Sequence, residues 1–200
     1  MIYVITNRKQ AEEGFIGTIE AAAAAGADFI ILREKDMKDA ALERLAREVK
    51  KAISGSGAEL IINTSLNVAR NVGACGVHMT FADFMECDVE MIRQEFNIGV
   101  SVHSLQEAEA AVKKGADYIL AGHIFQTDCK AGARPRGIEF IRRIRKALPR
   151  VKLIAIGGIM PENARQVISA GADGVAVMSL VMKSANSYEE VKNLAKSLKY

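Results

Sequence analysis

The sequence has 200 residues, half of them hydrophobic, which is enough to bury one compact core. The formal net charge is only +3, basic and acidic residues are mixed along the chain, and tryptophan is absent, so the composition argues against a nucleic-acid-binding protein. The three cysteines have no metal-ligand spacing, and no segment approaches the roughly 20 apolar residues of a membrane span. We therefore expect a cytoplasmic protein with one domain over residues 1–200 and no membrane partner.

Short apolar runs alternate with longer amphipathic stretches along the whole chain. The runs are residues 2–5, 29–32, 60–62, 76–77, 98–102, 118–120, 153–156 and 174–178. Runs without polar alternation are typical of strands that are covered on both faces, and strand–helix alternation predicts a parallel sheet. Eight such pairs predict an α/β fold, a single (β/α)₈ TIM barrel. An open doubly wound sheet is the alternative, because parallel strands alone do not prove closure.

The junctions between helices and strands carry recurrent signals. The tripeptide Gly-Ala-Asp precedes three of the predicted strands, at residues 26–28, 115–117 and 171–173. Glycine can end a helix in the left-handed conformation, so each copy predicts a helix end followed at once by a strand. Two predicted helix starts resemble capping boxes, Ser104 with Glu107 and Ser187 with Glu190.

Polar residues follow or end every predicted strand. The active site of a (β/α)₈ barrel lies at the carboxyl ends of its strands. A ring of polar groups on an apolar barrel is costly unless it has a purpose, so we predict a binding site there. The residues at these positions are Thr6, Asn7, Arg33, Lys35, Asn63, His78, Ser101, His103, His123, Gly157, Gly158 and Ser179.

A glycine pair after the seventh strand predicts a phosphate site. Gly157 and Gly158 would let backbone N–H groups approach an anion at the start of the next helix. Met178 and Ser179 end the eighth strand, and the loops after strands seven and eight are the common phosphate site of such barrels. These four residues predict a barrel of the phosphate-binding type, although the glycine pair alone could be a tight turn.

Several rim residues are candidates for binding a substrate and moving a proton. Arg33 and Lys35 can hold a carboxylate or phosphate, with a solvated charged turn as the plain alternative. Lys130 lies in an unusually long, positively charged connection that is typical of a binding loop. His123 can both take and give a proton near neutral pH, whereas His78 and His103 are expected to be structural.

These residues carry a resemblance to a known family. The motifs are Leu32-Arg33-Glu34-Lys35, Ile62-Asn63, Gly76-Val77-His78, Ser101-Val102-His103-Ser104, Gly122-His123-Ile124-Phe125, Thr127-Asp128-Cys129-Lys130, Ile156-Gly157-Gly158-Ile159 and Val175-Ala176-Val177-Met178-Ser179. In these motifs the sequence resembles the thiamine-phosphate synthase/thiazole tautomerase (TenI) superfamily over nearly its whole length. The resemblance implies a thiazole phosphate ligand and a role in thiamine biosynthesis.

Departures from the synthase pattern favour the tautomerase branch of that superfamily. Synthases carry glutamine where this chain has Ile31, and they carry a magnesium-binding aspartate where it has Thr64. Their Gly-Gln-x-Asp motif keeps only its last acid here, Asp83, because Phe81 replaces the glutamine. They usually carry proline where this chain has His123. A pyrophosphate leaving group needs a metal to neutralise its developing charge, so the loss of an acid predicts poor binding of a diphosphate.

We therefore expect a thiazole tautomerase. It would convert a carboxylated dihydrothiazole-ylidene ethyl phosphate into the aromatic carboxythiazole isomer by a 1,3-proton shift, with His123 as acid and base. No metal or cofactor would be required. The expected roles of the other residues are phosphate binding by Gly157, Gly158, Met178 and Ser179, and substrate binding by Arg33, Lys35, Asn63, Ser101 and Lys130.

Other functions stay open at this point. The main alternative is a thiamine-phosphate synthase, a transferase that would require Mg²⁺. A non-catalytic regulatory protein that binds thiazole phosphate is a second alternative. A barrel isomerase or epimerase of sugar phosphates is a third, and it should carry several metal-binding acids. A homodimer is also left open, because aliphatic residues on the outer helices could pair.

Overall fold

A computed structural model describes residues 1–11, 14–127, 132 and 134–199. The strands of this described part are β1 (Ile2–Ile5), β2 (Phe29–Leu32), β3 (Glu59–Asn63), β4 (Gly76–Thr80), β5 (Asn97–Val102), β6 (Tyr118–Gly122), β7 (Lys152–Ile156) and β8 (Gly174–Val177). Its α-helices are α1 (Phe15–Ala24), α2 (Asp39–Ala52), α3 (Leu66–Val72), α4 (Phe81–Glu86), α5 (Val89–Ile92), α6 (Leu105–Lys114), α7 (Ile138–Ala147), α8 (Pro161–Ser169), α9 (Ser179–Met182) and α10 (Ser187–Leu198). A short 3₁₀ helix, Arg8–Gln10, follows β1.

The strands form a closed parallel barrel in chain order. β1 pairs with β2 through Val4 and Ile30, and it also pairs with β8 through Val4 and Val177. This second pairing closes the sheet, so the (β/α)₈ prediction is confirmed and the open-sheet alternative is wrong. Within the described ranges, no helix is long and apolar enough to cross a lipid bilayer.

Aromatic rings fill the amino-terminal end of the barrel interior. Tyr3 stacks on Phe29 with ring centroids 4.5 Å apart, and the centroid of Tyr118 lies 5.4 Å from that of Tyr3. A Cβ atom at position 99 would overlap the Tyr118 ring, so Gly99 makes the space that this ring occupies. The aromatic rings close this end, and the open end, which we call the mouth, lies at the carboxyl ends of the strands.

The Gly-Ala-Asp tripeptides end helices and also fix neighbouring strands. Gly26, Gly115 and Gly171 have φ values of 105°, 109° and 109°, which confirms the predicted left-handed helix ends. The carboxylate of each aspartate then accepts a hydrogen bond from the backbone N–H of a residue at or near the start of an adjacent strand. The pairs are Asp28 with Ile2 at 2.6 Å, Asp117 with Ile98 at 2.8 Å and Asp173 with Leu153 at 2.8 Å. The tripeptide therefore stabilises the end of the barrel that lies opposite the mouth.

One of the two predicted capping boxes is wrong. The Ser104 hydroxyl accepts a hydrogen bond from the Glu107 N–H at 3.0 Å, as expected of a helix start. The cap of α10 is instead Asn186, whose side chain accepts from the Glu189 N–H at 3.1 Å. Ser187 is buried and its hydroxyl donates to the carbonyl of Val181, so it is not available as a cap.

Candidate active site

The carboxyl ends of β2, β3 and β4 border a cavity of about 700 Å³, which we call the β2–β4 cavity. Its lining includes Glu34, Lys35, Asp39, Asn63, Thr64, Thr80 and Asp83. Lys35 and Asn63, two of the predicted substrate-binding residues, thus lie in one cavity. Lys35 supplies positive charge and Asn63 supplies an amide, while Glu34, Asp39 and Asp83 add three carboxylates to the same lining.

Arg33 adds a second positive charge on the same side of the mouth. It follows β2 directly and is half-buried. Burial lowers the pKa of its guanidinium, while the nearby charge of Glu34 acts in the opposite direction. The positive charge of Arg33 also contributes to lowering the pKa of His78, after the larger effect of burial. A half-buried guanidinium at the mouth is well suited to binding a phosphate group.

His78 is buried inside the barrel and connects two strands. Its Nδ1 lies 3.1 Å from the Tyr118 hydroxyl, and its Nε2 lies 2.8 Å from Oγ of Ser101. Burial, together with the charge of Arg33, lowers its pKa to about 3, so the ring is neutral near pH 7. These contacts agree with the expected structural role, and they hold the Ser101 hydroxyl at the end of β5.

Gly157 and Gly158 lie where no side chain could be accommodated. Their φ values are 101° and 65°, in the region that favours glycine. A Cβ atom on Gly157 would overlap that of His123. A Cβ atom on Gly158 would overlap the carbonyl oxygen of Gln126 and lie 2.8 Å from Cβ of Phe125. Positive φ and close approach of neighbouring residues therefore both require glycine at these two positions.

The β7 and β8 ends bring the predicted phosphate-binding residues together. Ile156 pairs with Ala176, which sets Gly157 and Gly158 beside the end of β8. Met178 and Ser179 follow β8 and are both half-buried. We call Gly157, Gly158 and Ser179 the glycine cradle. Because β3 and β7 are four strands apart in an eight-stranded barrel, the cradle and the β2–β4 cavity lie on opposite sides of the mouth.

His123 lies directly beside the glycine cradle. It follows β6 through a cis peptide bond with Gly122 and is 7% exposed. Its carbonyl accepts the Arg136 N–H at 3.0 Å, and the neighbouring Gly122 carbonyl accepts from Nδ1 of His103 at 2.9 Å. The structure thus puts His123 at the mouth, next to Gly157. The predicted substrate residue Lys130 lies outside the described residues.

The donor set of the β2–β4 cavity does not suit a magnesium ion held by the protein. Among the described residues, no three His, Cys, Asp or Glu side chains are grouped as metal ligands. Glu34 already accepts hydrogen bonds from Arg8, and Asp83 accepts one from the Thr80 hydroxyl at 2.7 Å. Thr64 carries no charge. Magnesium sites in proteins normally use one or two carboxylates together with substrate phosphates. The donors in this part of the chain therefore do not form a Mg²⁺ site by themselves, and only an ion shared with substrate phosphates would suit the carboxylates of this cavity.

Thr64 has an unusual backbone conformation at this cavity, and no sequence signal predicts it. Its φ is 69°, and no other non-glycine residue in the described part of the chain has a positive φ. A β-branched residue in this region is an outlier, and such strain costs of order 1–3 kcal/mol. The Thr64 N–H donates to the His78 carbonyl at 2.9 Å, and its hydroxyl accepts from the Asn63 amide at 2.8 Å. These bonds hold the strained residue in place.

Comparison with known proteins identifies the family. A family model described as thiamine monophosphate synthase matches residues 2–181. A thiamine-phosphate synthase from Pyrococcus abyssi is 36% identical over 195 residues, which cover 98% of this chain and 93% of the relative. One from Methanoregula boonei is 42% identical over 163 residues, covering 80% and 75%. The structure of thiamine phosphate pyrophosphorylase from Pyrococcus furiosus matches with a TM-score of 0.87 and 32% identity, covering 99% of this chain and 95% of that one.

The predicted thiazole tautomerase activity is wrong, because relatives that match across most of the chain are named thiamine-phosphate synthases. Two of the departures that favoured the tautomerase are changes in packing. Ile31 is fully buried in the barrel interior, and Phe81 packs against the outer core. Both changes are therefore accommodated by apolar packing. With its fold and its family match, the chain belongs to the thiamine-phosphate synthase/TenI superfamily of enzymes, which acts in thiamine biosynthesis.

Proposed function

We propose that this enzyme is a thiamine-phosphate synthase, which joins a pyrimidine diphosphate to a thiazole phosphate and releases pyrophosphate. The observation that carries the proposal is identity of 32–42% to synthases and a pyrophosphorylase over at least 80% of the chain. The matches cover most of the chain, whereas the tautomerase prediction depends on a few single positions.

The geometry of the mouth supports a reaction between two phosphorylated substrates. The β2–β4 cavity and the glycine cradle lie on opposite sides of the mouth. In our proposal Arg33 and Lys35 bind the diphosphate, while the cradle binds the phosphate of the thiazole. A reaction centre between the two sites would then bring the substrates together at high effective concentration.

Arg33 and Lys35 also have a role in the chemical step. The bond to the diphosphate breaks as a bond to the thiazole nitrogen forms, so negative charge develops on the departing pyrophosphate. A half-buried guanidinium stabilises this negative charge more strongly than it would in water, because few solvent dipoles screen the interaction. Ser101, which His78 holds by a 2.8 Å hydrogen bond, and Asn63 supply further polar contacts. No step of this reaction takes a proton from a ring carbon, so His123 has no acid–base role in it.

The test is formation of thiamine phosphate from the two authentic substrates, followed by oxidation to a fluorescent thiochrome. The assay is run with Mg²⁺ and again with a chelator. We expect product, and we expect Arg33→Gln to lower kcat/KM by about 100-fold, as loss of a transition-state charge partner does. Arg44→Gln, which removes an exposed arginine on α2, is the matched control and should stay within about twofold.

Two results would count against the proposal. If no product formed with or without Mg²⁺, while the protein bound both substrates, the chain would be a binding protein. If Arg33→Gln and Arg44→Gln had equal activity, the diphosphate would not be held at β2. Either result would be interpreted only for variants whose circular dichroism and melting temperature match the wild type.

A further inference from the structure

A buried carboxylate lies between the β1 and β2 loops, beside the proposed diphosphate site. The Glu34 side chain is 2% exposed. Its Oε1 accepts hydrogen bonds from the Thr6 hydroxyl at 2.8 Å and from the Arg8 N–H at 3.0 Å. Its Oε2 pairs with the Arg8 guanidinium at 3.1 Å. Burying a charge is costly unless it is paired and hydrogen-bonded, and these contacts meet that need.

Thr6 links this carboxylate to Arg33. Thr6 is fully buried, and its hydroxyl accepts a hydrogen bond from the Arg33 N–H at 2.9 Å. Because the same hydroxyl donates to Glu34, its hydrogen points toward the carboxylate and a lone pair faces Arg33. The position of the Arg33 backbone thus depends on a chain of two hydrogen bonds that ends at Glu34.

The ion pairs of this region leave Arg33 available for an external anion. The Arg8 guanidinium takes up the charge of Glu34, and it also forms two hydrogen bonds to Asp36 at 2.6 and 2.8 Å. Lys9 pairs with Asp36 at 3.0 Å. In the described structure Glu34 is therefore bound to Arg8 rather than to the neighbouring Arg33.

We propose that Glu34 is a positioning residue that acts through the Thr6 hydroxyl. It sets the backbone at Arg33 and, by pairing with Arg8, keeps the Arg33 guanidinium directed to the diphosphate of the substrate. The identity of that ligand rests on the proposed function, but the dependence of anion binding on Glu34 does not.

The first experiment measures binding of inorganic pyrophosphate by titration calorimetry to the wild type, Glu34→Gln and Asp36→Asn. Asp36 is the matched control, because it pairs with the same arginine but is exposed and does not contact Thr6. We expect Glu34→Gln to weaken binding by about tenfold, since small misplacements of a binding group carry penalties of this size or larger. Asp36→Asn should stay within about twofold. Equal affinities for all three proteins would overturn the proposal.

A second pair of variants keeps the test decisive if Glu34→Gln fails to fold. Thr6→Val has nearly the same shape as threonine but lacks the hydroxyl, so it breaks the link while Glu34 stays charged. Thr6→Ser keeps the hydroxyl and should restore most of the affinity lost in Thr6→Val. If the two variants bound pyrophosphate equally well, the hydroxyl would have no positioning role.

Kinetics separate this proposal from the proposed function. In the synthase assay we expect Thr6→Val to raise KM for the diphosphate substrate about tenfold, with a smaller change in kcat, because it disturbs a binding group. If the wild type made no thiamine phosphate but bound pyrophosphate in a Glu34-dependent way, the proposed function would fail and the positioning role would stand. If the wild type made product but did not bind pyrophosphate, the positioning role would fail alone.

Discussion

Replacing Gly158 with alanine tests the close backbone approach that forms the glycine cradle. Alanine at a φ of 65° costs about 1–2 kcal/mol, because its Cβ crowds the following carbonyl. The new Cβ would also overlap the Gln126 carbonyl oxygen and lie 2.8 Å from Cβ of Phe125. Relieving such overpacking adds about 1–3 kcal/mol. We therefore expect Gly158→Ala to lower the free energy of unfolding by about 2–5 kcal/mol.

Gly55→Ala is the matched control. Gly55 also has a positive φ, 82°, but a Cβ atom there would meet no other atom within 4 Å, so this variant should lose only the conformational part, about 1–2 kcal/mol. Urea unfolding measures both losses, and titration with thiazole phosphate measures the site. Equal losses for the two variants would refute the argument from close approach. A larger loss for Gly158→Ala with unchanged thiazole phosphate affinity would refute the cradle as a phosphate site.

Three further predictions concern a buried histidine, the strained rim residue and a structural arginine. His78 has a folded pKa of about 3 against an ordinary 6.5, so below pH 6.5 the unfolded chain binds a proton that the folded chain does not. The free energy of unfolding of the wild type should therefore decrease as the pH is lowered below 6.5, by up to about 1.4 kcal/mol per pH unit. Urea unfolding at pH 5 and 7 should show a smaller decrease for His78→Gln. Equal decreases in the two proteins would contradict the buried neutral ring. Thr64→Asn should raise the free energy of unfolding by about 1 kcal/mol, because asparagine tolerates a positive φ better than threonine does. Thr64→Asp adds a carboxylate near Asp83 and should bind Mn²⁺ about tenfold more tightly than Thr64→Asn in calorimetry. Equal Mn²⁺ affinities would show that this position cannot build a metal site. Arg145 binds Asp173 at 2.6 Å and several backbone carbonyls. Arg145→Lys should therefore lower the free energy of unfolding by about 1–3 kcal/mol in thermal unfolding and leave kcat unchanged. An unchanged melting temperature would refute the structural role of this arginine.

The barrel can be predicted from sequence because its strands are buried on both faces. Each strand therefore reads as an apolar run, and each Gly-Ala-Asp tripeptide marks the helix end before a strand. The prediction is weakest at β4, where the apolar run ends at Val77 while the strand continues to Thr80. The reason is that His78 and Thr80 are polar, and the sequence alone does not distinguish a polar residue inside a barrel from one at its rim.

The site can be predicted as a set of positions but not as a network of contacts. The pairing of His78 with Tyr118 joins residues 40 positions apart, and the contact of Glu34 with Thr6 spans 28 positions. Such contacts depend on strand register and closure, which the local pattern does not specify. The predicted activity is wrong for a related reason, since it depends on single residue changes such as Thr64 and His123, whereas relatives that match across most of the chain are named synthases.

The three aspartates that fix strand starts have a consequence for how this enzyme can change over time. Asp28, Asp117 and Asp173 bind backbone N–H groups at the end of the barrel opposite the mouth. These hydrogen bonds therefore stabilise the starts of the strands from the side of the barrel that lies away from the proposed substrate sites. Substitutions in the loops at the mouth, such as the one at Thr64, therefore leave these hydrogen bonds intact. New substrate specificities can arise there while the barrel keeps its structure.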